Sequence, residues 1–157
     1  MTLQGDNPII QIKSLTKVFG RTRAIDDLSL EVQKGEFFCF LGPNGAGKTT
    51  TIKILAGLLR PTAGTAVIDG HDIAKNPVES KRVIGYIPDH PYLYEKLSGR
   101  EFMRFVAGMY QLNGSAVNGR IDELLDLFGI LQYADQLTED YSHGMRQKLV
   151  FSATFLH

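Results

Sequence analysis

The chain has 157 residues, 43% hydrophobic and 22% charged, with 17 basic and 17 acidic side chains. That size allows one domain with a core of its own, and the balanced charge leaves no basic surplus of the kind that marks nucleic-acid or anionic-membrane binding. No apolar run approaches the ~18 residues of a bilayer-crossing helix, and "MTLQGDNPII" lacks the basic-then-apolar order of a secretory signal, so any membrane role is expected to come through a partner.

Residues 8–19, "PIIQIKSLTKVF", predict a strand ended by Gly20. "LSLEV" at 28–32 predicts a second strand, turned by "QKGE". "EFFCFL" at 36–41 is a continuous apolar run between glycines, as in a strand buried on both faces. Cys39 would then be a small buried hydrophobe; a single cysteine forms no disulfide within the chain, which suits a reducing cytoplasm. A helix is predicted from about Lys48 to Leu59, stopped by Pro61. "TAVIDG" at 65–70 predicts a short strand with an Asp-Gly turn, and "RVIGYI" at 82–87 predicts another, closed by Pro88.

Farther on the pattern turns helical. "SGRE" at 98–101 reads as a capping box, with Ser98 and Glu101 each serving a backbone amide of the other. Phe102, Phe105, Val106 and Met109 follow at helical spacing. After the break at "LNGS", Ile121, Leu124, Leu125 and Phe128 form another stripe, stopped by Gly129, and a last helix starts near His143. Strands with one helix among them, then a helical block, imply an α/β core carrying a helical insertion.

Gly42, Gly47, Lys48 and Thr49 fit G-x-x-x-x-G-K-[ST]. A triphosphate is densely anionic, and backbone amides surround it only where the loop lacks bulk and tolerates positive φ, the role suited to Gly42, Gly45 and Gly47. The helix opening there adds its free amides and positive dipole end. Lys48 offers a point charge to the β/γ oxygens, and the Thr49 hydroxyl suits Mg²⁺.

With those residues in place, the sequence resembles the ATP-binding subunits of ABC transporters over nearly its whole length. "LGPNGAGKTT" is similar to their Walker A loop, "KVFG" to the aromatic loop before it, "RVIGYIP" with Asp89 to the Q-loop strand, and "YSHGMRQKL" at 141–149 to the signature motif. "LYEKLSGREFMRFVAGMY" is most similar to bacterial ABC-2-type exporters. The resemblance implies a P-loop NTPase (RecA-like) α/β fold in which residues 1–90 hold an N-terminal antiparallel β subdomain together with the Walker A core and Q-loop, and residues 91–157 a helical subdomain with the signature helix. It implies ATP and Mg²⁺ as ligands, held by Phe19 stacking on adenine, Ala24 beside the same base, and Gly42, Asn44, Gly45, Ala46, Gly47, Lys48, Thr49 and Thr50 around the phosphates. Thr49 and Asp89 would approach the metal. Lys48, with Ser142 and Gly144 from a second ATP-binding subunit in a head-to-tail dimer, would act on the γ-phosphate. A transmembrane permease subunit is the implied partner, on the cytoplasmic face, and no nucleic acid is expected.

The sequence departs from that pattern in three places. Asp89 stands where the family has glutamine, leaving a site role or a plain loop acid open. The signature, usually Leu-Ser-Gly-Gly-Gln, is Tyr141, Ser142, His143, Gly144 and Met145, and Ser142 reads equally as a helix N-cap. The family's Walker B strand and switch histidine follow the signature helix, within which the 157 residues end. The chain is therefore expected to be a truncation or part of a longer protein, missing the C-terminal part of the core. The segment 36–41 is then expected to lack sheet neighbours, the chain to be poorly stable alone, and hydrolysis by it alone is not expected. Asp69 is read as a turn residue, His157 as no catalytic histidine, His71 and His90 as exposed loop residues, and Asp135, Glu139 and Asp140 as solvated. Two alternatives to a transport ATPase stay open: an inert nucleotide-binding fragment, and an ABC ATPase without a membrane partner.

Overall fold

A computed structural model describes residues 7–90 and 92–156. The expectations about the first six residues and His157 lie outside these. The chain forms two compact units, one ending at Ile84 and the other beginning at Gly85.

The first unit contains β1 (Ile10–Phe19), β2 (Thr22–Val32), α1 (Lys48–Leu55), β3 (Ala63–Ile68), β4 (His71–Asp72) and α2 (Pro77–Arg82). Its four strands form one antiparallel sheet in the order β2-β1-β3-β4. Ile12, Leu15, Ile25, Ala66 and Ile68 of the sheet join Ile54 of α1 in one core. Gly64 is required where β3 crosses β1, since φ is +74° and a Cβ there would come within 2.1 Å of the Ser14 carbonyl oxygen. Asp69 and Gly70 both have positive φ and make the expected turn.

Several expectations for this unit fail. β2 begins at Thr22, well before residue 28. Its pairing with β1 shifts register at several points, with Ser14 and Asp27 at positive φ, and such bulges erase the two-residue period that would have betrayed the strand. Residues 36–41 form no strand: Phe37 is 97% exposed and Leu41 88%, and Cys39 is exposed, not buried. A strand buried on both faces needs partners on both edges, and the strands here pair only with one another. Residues 83–88 are likewise not strand, because α2 runs through Arg82 and irregular chain follows. α1 stops at Leu55, with Gly57 at φ +66° turning the chain before Pro61 is reached. His71 is half-buried in β4, paired with Ile68, and is no loop residue.

The second unit contains α3 (Gly99–Met109), α4 (Ser115–Leu127) and α5 (His143–Thr154), with 3₁₀ turns at Leu131–Tyr133 and Thr138–Asp140. The capping box forms: the Glu101 amide donates to Ser98 Oγ at 3.2 Å, and the Ser98 amide to the Glu101 carboxylate at 2.8 Å. Ile121, Leu124 and Leu125 of α4 are buried with Leu149 and Ala153 of α5. The expected stripe of α3 faces the core only in part, with Phe102 buried and Val106 packed against that cluster. Phe102, Met103 and Ala107 are buried, whereas Phe105 and Met109 are exposed, and Phe105 meets Tyr94 edge-on at 5.0 Å. Two of the solvated acids are tied down: Arg100 bridges Asp122 and Asp135, the latter at 2.8 Å, and Lys96 pairs with Glu139 at 2.6 Å. Asp140 and His90 are exposed as expected.

Candidate functional site

The loop between residues 41 and 48 owes its path to glycine. Gly42, Gly45 and Gly47 have φ of +153°, +88° and +82°, where side chains are rarely accommodated. Gly47 is constrained twice over. It is the N-cap of α1, and a Cβ on it would come within 2.4 Å of the Ala24 carbonyl oxygen on β2. The contact of bare backbone with β2 brings the loop beside the strand that carries Ala24.

Lys48 is the first residue of α1, and its ammonium donates to the carbonyls of Gly42, at 2.6 Å, and Pro43, at 2.7 Å. The Thr51 amide and hydroxyl both donate to the Gly47 carbonyl, at 2.8 and 3.0 Å, anchoring the first turn of the helix. That turn has no acidic side chain to compete with an incoming anion. The result is a cation and a helix N-terminus converging on one small volume, an arrangement suited to phosphate.

A cleft of about 390 Å³ opens there, a size that suits a small-molecule ligand. Phe19, Ala24, Asn44, Gly45, Ala46, Gly47, Lys48, Thr49 and Thr50 line it, while Gly42 contributes through its bond to Lys48. Phe19 is half-exposed at the end of β1, with the Lys17 ammonium 4.9 Å above its ring. Thr22 and Arg23 also line the cleft; the sequence analysis named Phe19 and Ala24 on either side of them from the resemblance, and no signal marked the two themselves. Arg23 is ion-paired with Asp26 at 2.7 Å. No lining residue carries a carboxylate. A larger hollow of about 560 Å³ adjoins Lys48 and Thr49, walled by the apolar Ile10, Leu30, Val32, Phe38, Ile52 and Leu55 and by one acid, Glu36. It is too apolar for an anion and lies beside the unpaired segment 36–41.

The remaining candidates lie in the second unit. Ser142 caps α5, its Oγ accepting from the Met145 amide at 3.3 Å. Ser142, His143 and Gly144 are exposed, and nothing lies within 4 Å of where a Gly144 Cβ would stand. The fold therefore has no need of glycine at 144. Asp89 is an exposed residue in a bend, so the two metal candidates, Thr49 and Asp89, belong to different units. Among the described residues no group of three or more His, Cys, Asp or Glu could hold a metal ion. The Thr49 hydroxyl at the cleft fits Mg²⁺, which is usually bound through substrate phosphates, waters and few protein ligands.

Glycine loop, lysine and helix start together define a phosphate-loop nucleotide-binding unit, followed by a helical unit. The sequence profile described as ABC transporter matches residues 25–157, and the chain belongs to that family. It is 37% identical over 149 residues to the probable multidrug ABC transporter ATP-binding protein YbhF of Escherichia coli, covering 95% of this chain and 26% of that one. Identity to the bacitracin transport ATP-binding protein BcrA of Bacillus licheniformis is 38% over 149 residues, covering 95% and 48%. A solved ATP binding subunit of an ABC transporter superimposes with a TM-score of 0.86 at 33% identity, covering 94% of this chain and 62% of that one. The chain thus spans about a quarter of the length of YbhF and about half that of BcrA.

Proposed function

We propose that this chain supplies the ATP-binding elements of a transport ATPase. In this reading the protein holding it couples ATP use to movement of a substrate through a separate membrane-embedded subunit. The observation that carries the reading is the cleft at Lys48, where nine of the residues expected to contact nucleotide meet. On binding, the Lys48 ammonium exchanges its two loop carbonyls for β- and γ-phosphate oxygens, while amides of the loop and first helical turn take the rest of the charge. Phe19, at the cleft's edge, stacks on the base, with Ala24 beside it. Thr49 would ligate Mg²⁺, which when bound neutralises phosphate charge. Ser142 and Gly144 of a second copy close on the γ-phosphate from the other side, their exposure at the start of α5 suiting that role. Among the described residues no helix is long and apolar enough to cross a membrane, in keeping with a subunit that reaches the cytoplasmic face through its partner.

Calorimetry with Mg·ATP tests this directly. Lys48→Ala is expected to weaken binding about 100-fold, the upper range for losing hydrogen bonds between charged groups. Undiminished binding would overturn the reading.

A second reading, favoured by the absence of any carboxylate from the cleft lining, is that the 157-residue chain binds ATP without turning it over. Activation of the attacking water calls for a base, and no residue lining the cleft itself carries a carboxylate; Glu36 lines the adjoining hollow, where its carboxylate accepts from the Gln33 amide at 2.7 Å. Steady-state assay of this chain is expected to give no phosphate release above Lys48→Ala. A Mg²⁺-dependent rate that Lys48→Ala abolishes would refute it.

A further inference from the structure

Arg146 lies one turn into α5, and its guanidinium reaches back across the start of the helix. Nε donates to the Tyr141 carbonyl at 3.1 Å and Nη2 to the Glu139 carbonyl at 3.0 Å, while Nη1 stands 3.5 Å from the Glu95 carboxylate. One planar fork therefore grips three separate points, which a lysine ammonium on its flexible stem does not reproduce. Two of those points are backbone, and one belongs to the residue immediately before Ser142.

The rest of that segment is bonded to residues 94–97. Thr138 donates from its amide to the Leu97 carbonyl at 2.9 Å and from its hydroxyl to the Tyr94 carbonyl at 3.0 Å. The Glu139 amide donates to the Glu95 carbonyl at 3.3 Å, and Lys96 pairs with the Glu139 side chain. The Ser142 carbonyl accepts from the Arg146 amide at 2.9 Å, but its hydroxyl is less firmly held. Its cap bond to Met145 is 3.3 Å, at the long end for a hydrogen bond, and its side chain is exposed. The direction in which Ser142 presents its hydroxyl therefore depends on the backbone behind it, which Thr138 and Tyr141 anchor and which Arg146 grips at the two residues Glu139 and Tyr141.

We propose that Arg146 is a positioning residue: it holds the Tyr141–Ser142 backbone at the angle that lets Ser142 meet a γ-phosphate bound on a second copy. Through Glu95 it links that angle to the segment 94–97, so displacement of one shifts the other. This rests on reading Ser142 as a phosphate-facing residue.

The test uses the full-length protein that contains this sequence, with ATP turnover, Mg·ATP affinity and melting temperature measured for Ser142→Ala, Arg146→Gln, the double variant and Arg146→Lys. Arg146→Gln is expected to lower kcat about tenfold, as misplacing a contact group by a fraction of an ångström does, with Mg·ATP affinity within about twofold of the parent. It should add nothing to Ser142→Ala, because both act on one contact, and Arg146→Lys should not restore the rate. A role confined to folding would instead add its loss to that of Ser142→Ala. Additive losses, or an unchanged kcat beside an impaired Ser142→Ala, would overturn the proposal and leave the phosphate-facing serine standing. Parental turnover in Ser142→Ala would sink both. Should Arg146→Gln fail to fold, Glu95→Gln removes only the exposed end of the clamp; a kcat drop of about threefold is expected, and an unchanged kcat overturns the link.

Discussion

The loop at 42–50 and the turn at 137–146 each deliver the chain to the start of a helix, but they are shaped by opposite means. The loop is shaped by what its residues lack. Three glycines take positive φ, and at Gly47 the missing Cβ lets the backbone lie against Ala24. The turn is shaped by side chains that reach backbone: Thr138 to Tyr94, Tyr141 to Tyr133, Arg146 to Glu139 and Tyr141. Added atoms should therefore damage the loop, and removed atoms the turn.

Gly47→Ala should have the largest effect. Strain at φ +82° together with a 2.4 Å approach to a carbonyl that cannot move without shifting β2 is expected to cost about 3 kcal/mol and to abolish Mg·ATP binding. Denaturant unfolding followed by circular dichroism, with calorimetry beside it, measures both. A variant that binds ATP as the parent does would break the comparison at its first arm.

Tyr141→Phe comes next and tests the second arm. The Tyr141 ring is buried, and its hydroxyl donates to the Tyr133 carbonyl at 2.7 Å, over Gly99, where a Cβ would come within 2.3 Å of the hydroxyl oxygen. Removing one oxygen leaves that carbonyl without its phenolic donor and should destabilise the second unit by about 1–2 kcal/mol. Amide hydrogen exchange across residues 133–146 should rise while that of β1–β3 holds still. Equal changes in both units would argue against two separate cores.

A smaller effect concerns acid. The Ser98 amide holds the Glu101 carboxyl below the ordinary carboxylate range, and Arg100 does the same for Asp135. Because both values are lowered on folding, the stability they contribute is present at neutral pH and is lost as pH falls through the lowered values. Glu101→Gln is expected to flatten the acid limb of the second unit's stability profile, read by exchange at residues 98–109, and to leave the first unit's profile alone. An unchanged acid limb would count against the capping box.

The same contrast explains what was legible in the sequence. The capping box at 98–101, the stop at Gly129, the cap at Ser142, the helix start at Lys48 and the turn at Asp69–Gly70 are local, each decided within about one turn of chain, and all are present. The failures depend on distant partners. Residues 36–41 read as a buried strand because apolar runs do so when neighbours flank them; the expected lack of sheet neighbours is present, and without them the segment is neither strand nor buried. Cys39 inherited that error. The early start of β2 was hidden by bulges. Arg146 stands inside a motif that was read, but nothing in a sequence says that a guanidinium turns back upon the residues before it.

Gly144→Ala should have the smallest effect on the fold and is the sharpest test of what the turn is for. Its backbone has ordinary φ, no atom lies within 4 Å of the added methyl, and alanine is the better helix former, so stability should stay within about 0.5 kcal/mol or rise. Within this chain, then, the glycine is unnecessary. If its purpose is to let a second copy's nucleotide approach the start of α5, the same methyl should lower ATP turnover in the full-length protein about tenfold while leaving the melting temperature and single-site ATP affinity where they were. Loss of rate without loss of fold would assign position 144 to a partner's phosphate. Parental turnover with alanine there would instead leave the turn as a helix cap and return Ser142 to the structural role its bond to Met145 describes.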